Sequence, residues 1–235
     1  MMGSTRTQTR TDILKTLGRK LNEICLKHPL RVGIDGISAS GKTVFADDLA
    51  TVLRDTGREV VRTGLDGFHN PPEIRYRLGS TSVEGYMQDS FDYTAVRRCV
   101  LVPLGPKGTR SYKSKVFDHV AEAPSQVPSA TVSQNAILLF EGVMLFNEEL
   151  DEHFDYRILV QTSFEIALER AKVRDLRKFG SLQILCKKYS ERFFPGQKRY
   201  LAECRPEKLA EVVIANDDWE NPTIEFKTIG NDLER

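Results

Sequence analysis

A three-layer α/β fold, with a mainly parallel five-stranded sheet and helices on both faces, is predicted by three observations. Short continuous apolar runs, such as residues 136–140, have the pattern of strands buried on both sides. Stretches with apolar residues at helical spacing alternate with those runs, as parallel strands and their crossovers require. A glycine-rich segment, residues 36–43, lies between a strand candidate and a helix candidate.

In chain order, Ile13, Leu14, Leu17, Leu21 and Ile24 predict an amphipathic helix over about 12–27, stopped before Pro29 and packed on the outside of the core. Residues 31–35 read as a short strand running into the glycine loop. Phe45, Leu49, Val52 and Leu53 then mark a second amphipathic helix. Residues 59–63 give the next strand, followed by Asp66 and a Gly/Pro/Asn-containing loop through Pro72. Residues 103–134 carry prolines, glycines and serines without a period, which predicts a long irregular segment inside the domain. The run 136–140 ends in Glu141-Gly142, and 157–160 repeats the buried-strand pattern. Helices are expected over about 163–178 and 181–194, with a last strand at 212–214. The organisation expected is a flexible leader over 1–10 and a single domain over 11–235, with ligands at the carboxyl ends of the strands.

The chain has 235 residues, a length that suits one α/β core. It is 40% hydrophobic and 29% charged, which excludes disordered and collagen-like classes. Its formal charge of +1 gives no overall field for nucleic acid or an anionic membrane, so any anion site must be local. Cys25, Cys99, Cys186 and Cys204 lie far apart with no C-x-x-C pair, the pattern of reduced, structural thiols. No apolar run is long enough to span a bilayer and the start lacks a secretory h-region, so a cytoplasmic location is expected. The basic, hydroxylated, acid-free start also loosely matches a mitochondrial transit peptide. The expected partner is a small-molecule substrate, with homo-oligomerisation open.

Gly36-Ile37-Ser38-Ala39-Ser40-Gly41-Lys42-Thr43 matches G-x-x-x-x-G-K-[ST] in the strand–loop–helix setting that the motif needs. Glycines let successive N–H groups face an anion, the next helix adds its positive end, and Lys42 reaches the outer phosphates. The Thr43 hydroxyl can hold magnesium. The loop predicts a P-loop NTPase fold using ATP and Mg2+; the plain alternative is a glycine turn beside a surface lysine.

With Ser38 and Ser40 in place, the loop reads G-x-S-x-S-G-K-[ST], and the chain from 31 to 214 resembles the uridine kinase, phosphoribulokinase and pantothenate kinase group, nearest to uridine kinases. Leu65-Asp66-Gly67-Phe68-His69 stands where uridine kinases have an aspartate and a short aromatic motif. The resemblance makes Asp66 the group that takes the acceptor hydroxyl's proton; on spacing alone it could be a turn aspartate before glycine. Glu141, closing an apolar strand, is placed to hold magnesium or its water, or simply to be solvated. Arg170, Arg174 and Asp175, with Gly180 beyond, resemble the start of the uridine kinase lid, which implies a helical lid over about 170–195. Its arginines would neutralise charge as the phosphoryl group leaves ATP; equally, 170 and 174 fit a solvated i,i+4 pair.

The acceptor region departs from the resemblance. Uridine kinases carry F-D-H-P-D-A-F-D where residues 85–92 read Gly-Tyr-Met-Gln-Asp-Ser-Phe-Asp, so only Asp89, Phe91 and Asp92 match. Tyr86 and Met87 replace the first aspartate and the histidine, which puts ribose recognition in doubt. Tyr112 and His119 resemble the uridine kinase tyrosine and histidine at a longer spacing, and His69 is a further acceptor candidate. The expectation is phosphorylation of a hydroxyl on a pyrimidine nucleoside such as uridine or cytidine. Pantothenate or a sugar is the alternative acceptor, and an ATP-binding regulatory module without transfer is the alternative of another class.

Overall fold

The computed structural model describes residues 9–227. Most of the expected leader, residues 1–8, lies outside them. Thr9 caps the first helix, α1 (Arg10–Glu23), through a capping box in which its hydroxyl accepts from the Asp12 N–H and the Asp12 carboxylate accepts from the Thr9 N–H. The helix therefore starts earlier than its apolar spacing suggests, and it ends at Glu23 rather than near 27 because Ile24 is extended.

Six strands form the main sheet: β1 (Leu30–Asp35), β2 (Val60–Gly64), β3 (Ile137–Gly142), β4 (Tyr156–Gln161), β5 (Val212–Ala215) and β6 (Thr223–Phe226). Their order is β6-β5-β4-β1-β3-β2. The first five in chain order run parallel, as expected, and β6 adds an antiparallel edge to β5. Its four side chains are mostly exposed, so no apolar run announces it; the five-stranded expectation is corrected by one strand. All six residues of β1 and of β3 are buried, the signature of central strands covered on both sides.

Alternation along β3 feeds two separate cores. Ile137 and Leu139 pack with Ile13, Leu17 and Leu21 of α1 and with Phe45, Leu49 and Leu53 of α2 (Lys42–Arg54). Leu138 and Phe140 pack on the opposite face with Val96, Val100, Leu101, Phe146, Phe154 and Tyr200. Residues 103–134 are irregular apart from two short antiparallel pairings, Ser111–Tyr112 with Ala130–Thr131 and Phe117–Asp118 with Ala123–Pro124.

The region expected as a lid begins within α4 (Phe164–Phe179), which comes after a short helix α3 (Val83–Asp89) that the sequence pattern did not reveal. Gly180 ends α4 in the left-handed region at φ 77°. The helix expected over 181–194 is instead α5 (Leu182–Lys188), a π-type turn Tyr189–Phe193, and α6 (Phe194–Cys204). One extra residue in that turn rotates Tyr189, Arg192 and Phe193 relative to a continuous α-helix. A third apolar cluster, including Ile37, Ala167, Ala171, Leu185 and Tyr189, roots the lid against the glycine loop.

Candidate active site

The strand register assembles the site. Asp35, the last residue of β1, lies opposite Gly142, and Gly64, the last of β2, lies opposite Glu141. The glycine loop, Glu141 and the turn Leu65–Phe68 therefore share one carboxyl edge of the sheet.

The loop is built largely from backbone. Gly41 has φ +91°, and a Cβ there would stand 2.6 Å from the Asn216 amide nitrogen; Ala39 also takes a positive φ of 62°. The carbonyl of Ser40 is held by Asn216 Nδ2 (2.7 Å), Thr162 Oγ1 (3.2 Å) and Arg170 Nη1 (3.3 Å). With its carbonyl turned away, the loop leaves the first-turn N–H groups of α2 facing the cleft, together with that helix's positive end. Lys42 Nζ rests on the Ile37 carbonyl at 3.3 Å. Beneath the loop, Asp35 is fully buried; desolvation raises its pKa against a hydrogen bond from Tyr200 and another from the Gly36 N–H at 2.7 Å.

A cleft of about 350 Å³ opens beyond the loop. Ser38, Lys42, Thr43, Asp66, Glu141 and Arg174 line its phosphate end, and His69, Tyr86, Phe91, His119 and Phe193 line the far end. Thr43 Oγ1 donates to Glu141 Oε1 at 3.2 Å, and Arg62 Nη2 stands 3.8 Å from the same oxygen. Hydroxyl and carboxylate oxygens side by side suit Mg2+, which takes one or two protein oxygens plus phosphates and water. Among the described residues no group of three or more His, Cys, Asp or Glu side chains could hold a metal unaided. Asp66, in the turn that follows β2, faces the cleft, and its carboxylate accepts no hydrogen bond from the described residues. A larger hollow of about 630 Å³ lies on the Tyr200 side of α6, but it contains no loop residue and carries Glu148, Glu149, Asp151 and Glu203, which would repel a triphosphate.

The two lid arginines part company. Arg174 reaches the cleft, where Nε and Nη2 donate to Asp175 at 2.8 and 2.9 Å and Tyr189 Oη donates to Asp175 at 2.6 Å. Burial would raise Asp175's pKa, yet hydrogen bonds from Arg174 and Tyr189 outweigh it and leave the carboxyl below its ordinary value. Arg170, expected over the phosphates, instead donates to the carbonyls of Ser40, Asn216 (2.7 Å) and Asp217 (3.0 Å). One turn earlier on α4, it meets the strand ends rather than the cleft, and braces the loop from behind.

The acceptor candidates also divide. His69, Phe91 and His119 come together, with the His69 ring centroid 4.6 Å from that of Phe91 and 4.7 Å from that of His119. Burial drives the His69 pKa down to about 4, so the ring is neutral. Asp89, Asp92 and Tyr112 are corrections: none of them lines the cleft. Asp89 is buried in an ion pair with Arg77 at 2.6 Å, Asp92 caps the turn Tyr93–Val96 by accepting from the Ala95 N–H, and Tyr112 packs against the core. Short-range capping and pairing absorb those carboxylates before a ligand could use them.

Gln197 has no sequence signal and stands at the centre. Fully buried on α6, it donates through Nε2 to Ser38 Oγ and to Tyr86 Oη, both at 2.7 Å, and its Oε1 accepts from the Ser38 N–H at 3.1 Å. Tyr86, standing where uridine kinases have an aspartate, is tied through this amide to the phosphate loop.

A strand-edge phosphate loop, an aspartate unpaired among the described residues and a helix with a cleft-facing arginine are the parts of a P-loop kinase of small molecules. Comparison with known proteins agrees. The family model described as "Phosphoribulokinase / Uridine kinase family" matches residues 31–214, and the chain belongs to that family. It is 27% identical over 192 residues to uridine-cytidine kinase B of Dictyostelium discoideum, covering 80% of this chain and 75% of that protein. It is 25% identical over 200 residues to the uridine kinase of Chlamydia pneumoniae, covering 81% and 83%. The structure of a possible uridine kinase from Bacillus stearothermophilus superposes with a TM-score of 0.68 at 22% identity, over 86% of this chain and 97% of that one, a likeness of fold.

Proposed function

We infer that this chain transfers the γ-phosphoryl group of ATP to a hydroxyl of a nucleoside-class acceptor. The observation that carries this reading is Asp66: a carboxylate that accepts no hydrogen bond from the described residues, in one cleft with Lys42 and Thr43 of the phosphate loop. Asp66 orients the acceptor hydroxyl and takes its proton as the bond to phosphorus forms. Lys42 and the α2 N-terminus hold the phosphates, while Arg174 offsets charge as the leaving oxygen of ADP develops. Thr43 and Glu141 would hold the magnesium ion, which neutralises phosphate charge when bound. The relatives named uridine or uridine-cytidine kinase support a pyrimidine nucleoside as the acceptor class, and a cytosolic setting suits a chemistry that draws on ATP. No helix of the described residues is long and apolar enough to cross a membrane.

The test is ADP release from ATP in the presence of magnesium, measured with uridine, cytidine, other nucleosides, pantothenate and common sugars. Stimulation above the water background by a nucleoside is expected; ATP binding with no stimulation by any acceptor would leave a regulatory nucleotide-binding module instead.

A further inference from the structure

The far end of the cleft continues into a chamber of about 130 Å³, sharing His69, Tyr86, Phe91, His119 and Phe193 as walls. Its remaining wall is basic. Arg75, Lys178, Lys188 and Arg192 line it, against one carboxylate, Glu122. Three of these cations crowd a single ring: the charged groups of Arg75, Lys188 and Arg192 lie 5.3, 4.8 and 5.1 Å from the Tyr76 centroid. An aromatic face attracts a cation, but one ring cannot offset the mutual repulsion of three.

Few of these charges are neutralised within the protein. Glu122 takes Arg75 Nη2 at 2.6 Å, whereas Arg192 donates to the carbonyls of Arg75, Gly79 and Ser82, and Lys188 donates to the carbonyl of Ser80. Carbonyls satisfy hydrogen bonds without cancelling charge. Burial and the neighbouring arginines depress the Lys188 pKa, and burial depresses that of Arg192, which is how uncompensated cations behave. Among the described residues, two buried donors or acceptors here also have no partner: Arg75 Nε, on a side chain more than nine-tenths buried, and His119 Nδ1. Leaving such groups unpaired costs free energy that a ligand would return.

We propose that this chamber holds an anionic group of the acceptor, a carboxylate or a phosphate monoester, remote from the hydroxyl that is phosphorylated. The inference rests on the kinase reading above and narrows its acceptor. The anion sits against Arg75 and Lys188, the acceptor body lies between Phe91 and Tyr86, and the hydroxyl reaches Asp66. Recognition at the remote end thereby takes over from the aspartate that Tyr86 replaces.

Matched pairs of probes test it: uridine against orotidine, which adds a carboxylate to the base, and ribose against ribose 5-phosphate. Each is measured twice, by calorimetric binding without ATP and by ADP release with ATP and magnesium. The expected result is at least tenfold tighter binding of one charged member than of its neutral twin. Arg75→Gln and Lys188→Gln should each cut that advantage about 3- to 10-fold, with thermal melts confirming that both variants are folded. A preference for orotidine assigns a carboxylate, and one for ribose 5-phosphate assigns a phosphate. Equal binding within both pairs, or an advantage that survives both substitutions, overturns the proposal. Phosphoryl transfer to uridine without any charge preference would sink the chamber and leave the kinase standing; preferential binding with no ADP release from any acceptor would do the reverse.

Discussion

The two ends of the cleft are made of different material. At the phosphate end the backbone N–H groups, Ser38, Lys42 and Thr43 come from eight consecutive positions fixed by one strand, one loop and one helix, and Asp66, Glu141 and Arg174 join them from two other strand ends and α4. At the acceptor end the walls come from residues 69, 75, 86, 91, 119 and 193, gathered from segments far apart in the chain. The first end contacts phosphates, which all nucleoside triphosphates share, and is set by local geometry. The second must distinguish one metabolite from another and is set by tertiary packing, which leaves its side chains freer to differ between relatives.

The largest expected effect isolates the point where the two ends meet. Asp66→Asn should lower kcat by roughly 10²–10⁴-fold while ATP affinity, measured by equilibrium binding, stays within about twofold. A near-normal rate would remove Asp66 as the proton acceptor. Gln197→Leu should come next, because Gln197 bonds both to the loop and to an acceptor-wall side chain. Losing it should raise the KM for ATP and for the acceptor together, with kcat/KM falling about tenfold, the equivalent of about 1.4 kcal/mol. A change confined to one substrate would show that the two ends do not communicate through this amide.

The smallest effect separates the ends by pH. The folded pKa of His69, about 4, lies below its ordinary 6.5, so between those values the unfolded chain binds more protons than the folded one. Stability should be full above pH 6.5 and should fall as pH drops toward 4, lowering the melting temperature by about 5–10 °C. His69→Asn should flatten this slope; an unchanged slope would assign it to other groups.

The same division explains what could be read in advance. The phosphate-loop motif and the five parallel strands are legible because short-range patterns specify them: an anion-binding turn needs glycines at set spacing, and a doubly covered strand needs an unbroken apolar run. Asp66 stands out through the family resemblance and Glu141 by its place at a strand end; the structure brings both to the cleft. Strand β6 was not legible, since an exposed edge strand carries no such run. Asp89 and Asp92 matched a motif in letters, yet their carboxylates are occupied by Arg77 and by a helix-cap N–H. Arg170 and Arg174 share a sequence pattern, and only packing against Asn216 and Tyr189 shows that one braces and the other faces the cleft. Gln197 is the clearest case of hidden information, because its role depends on α6 passing between Ser38 and Tyr86.

Lys188 and Arg192 lie at the end of α5 and in the π-type turn, and their hydrogen bonds run to the carbonyls of residues 75, 79, 80 and 82, the segment that leads from Arg75 of the acceptor wall into α3. Lid and wall are thus strapped into one mechanical unit, with the shared element anchored from the π-type turn. Work done in seating the acceptor and work done in ordering the lid become one coupling free energy, and by reciprocity each substrate should tighten the other's binding by the same factor.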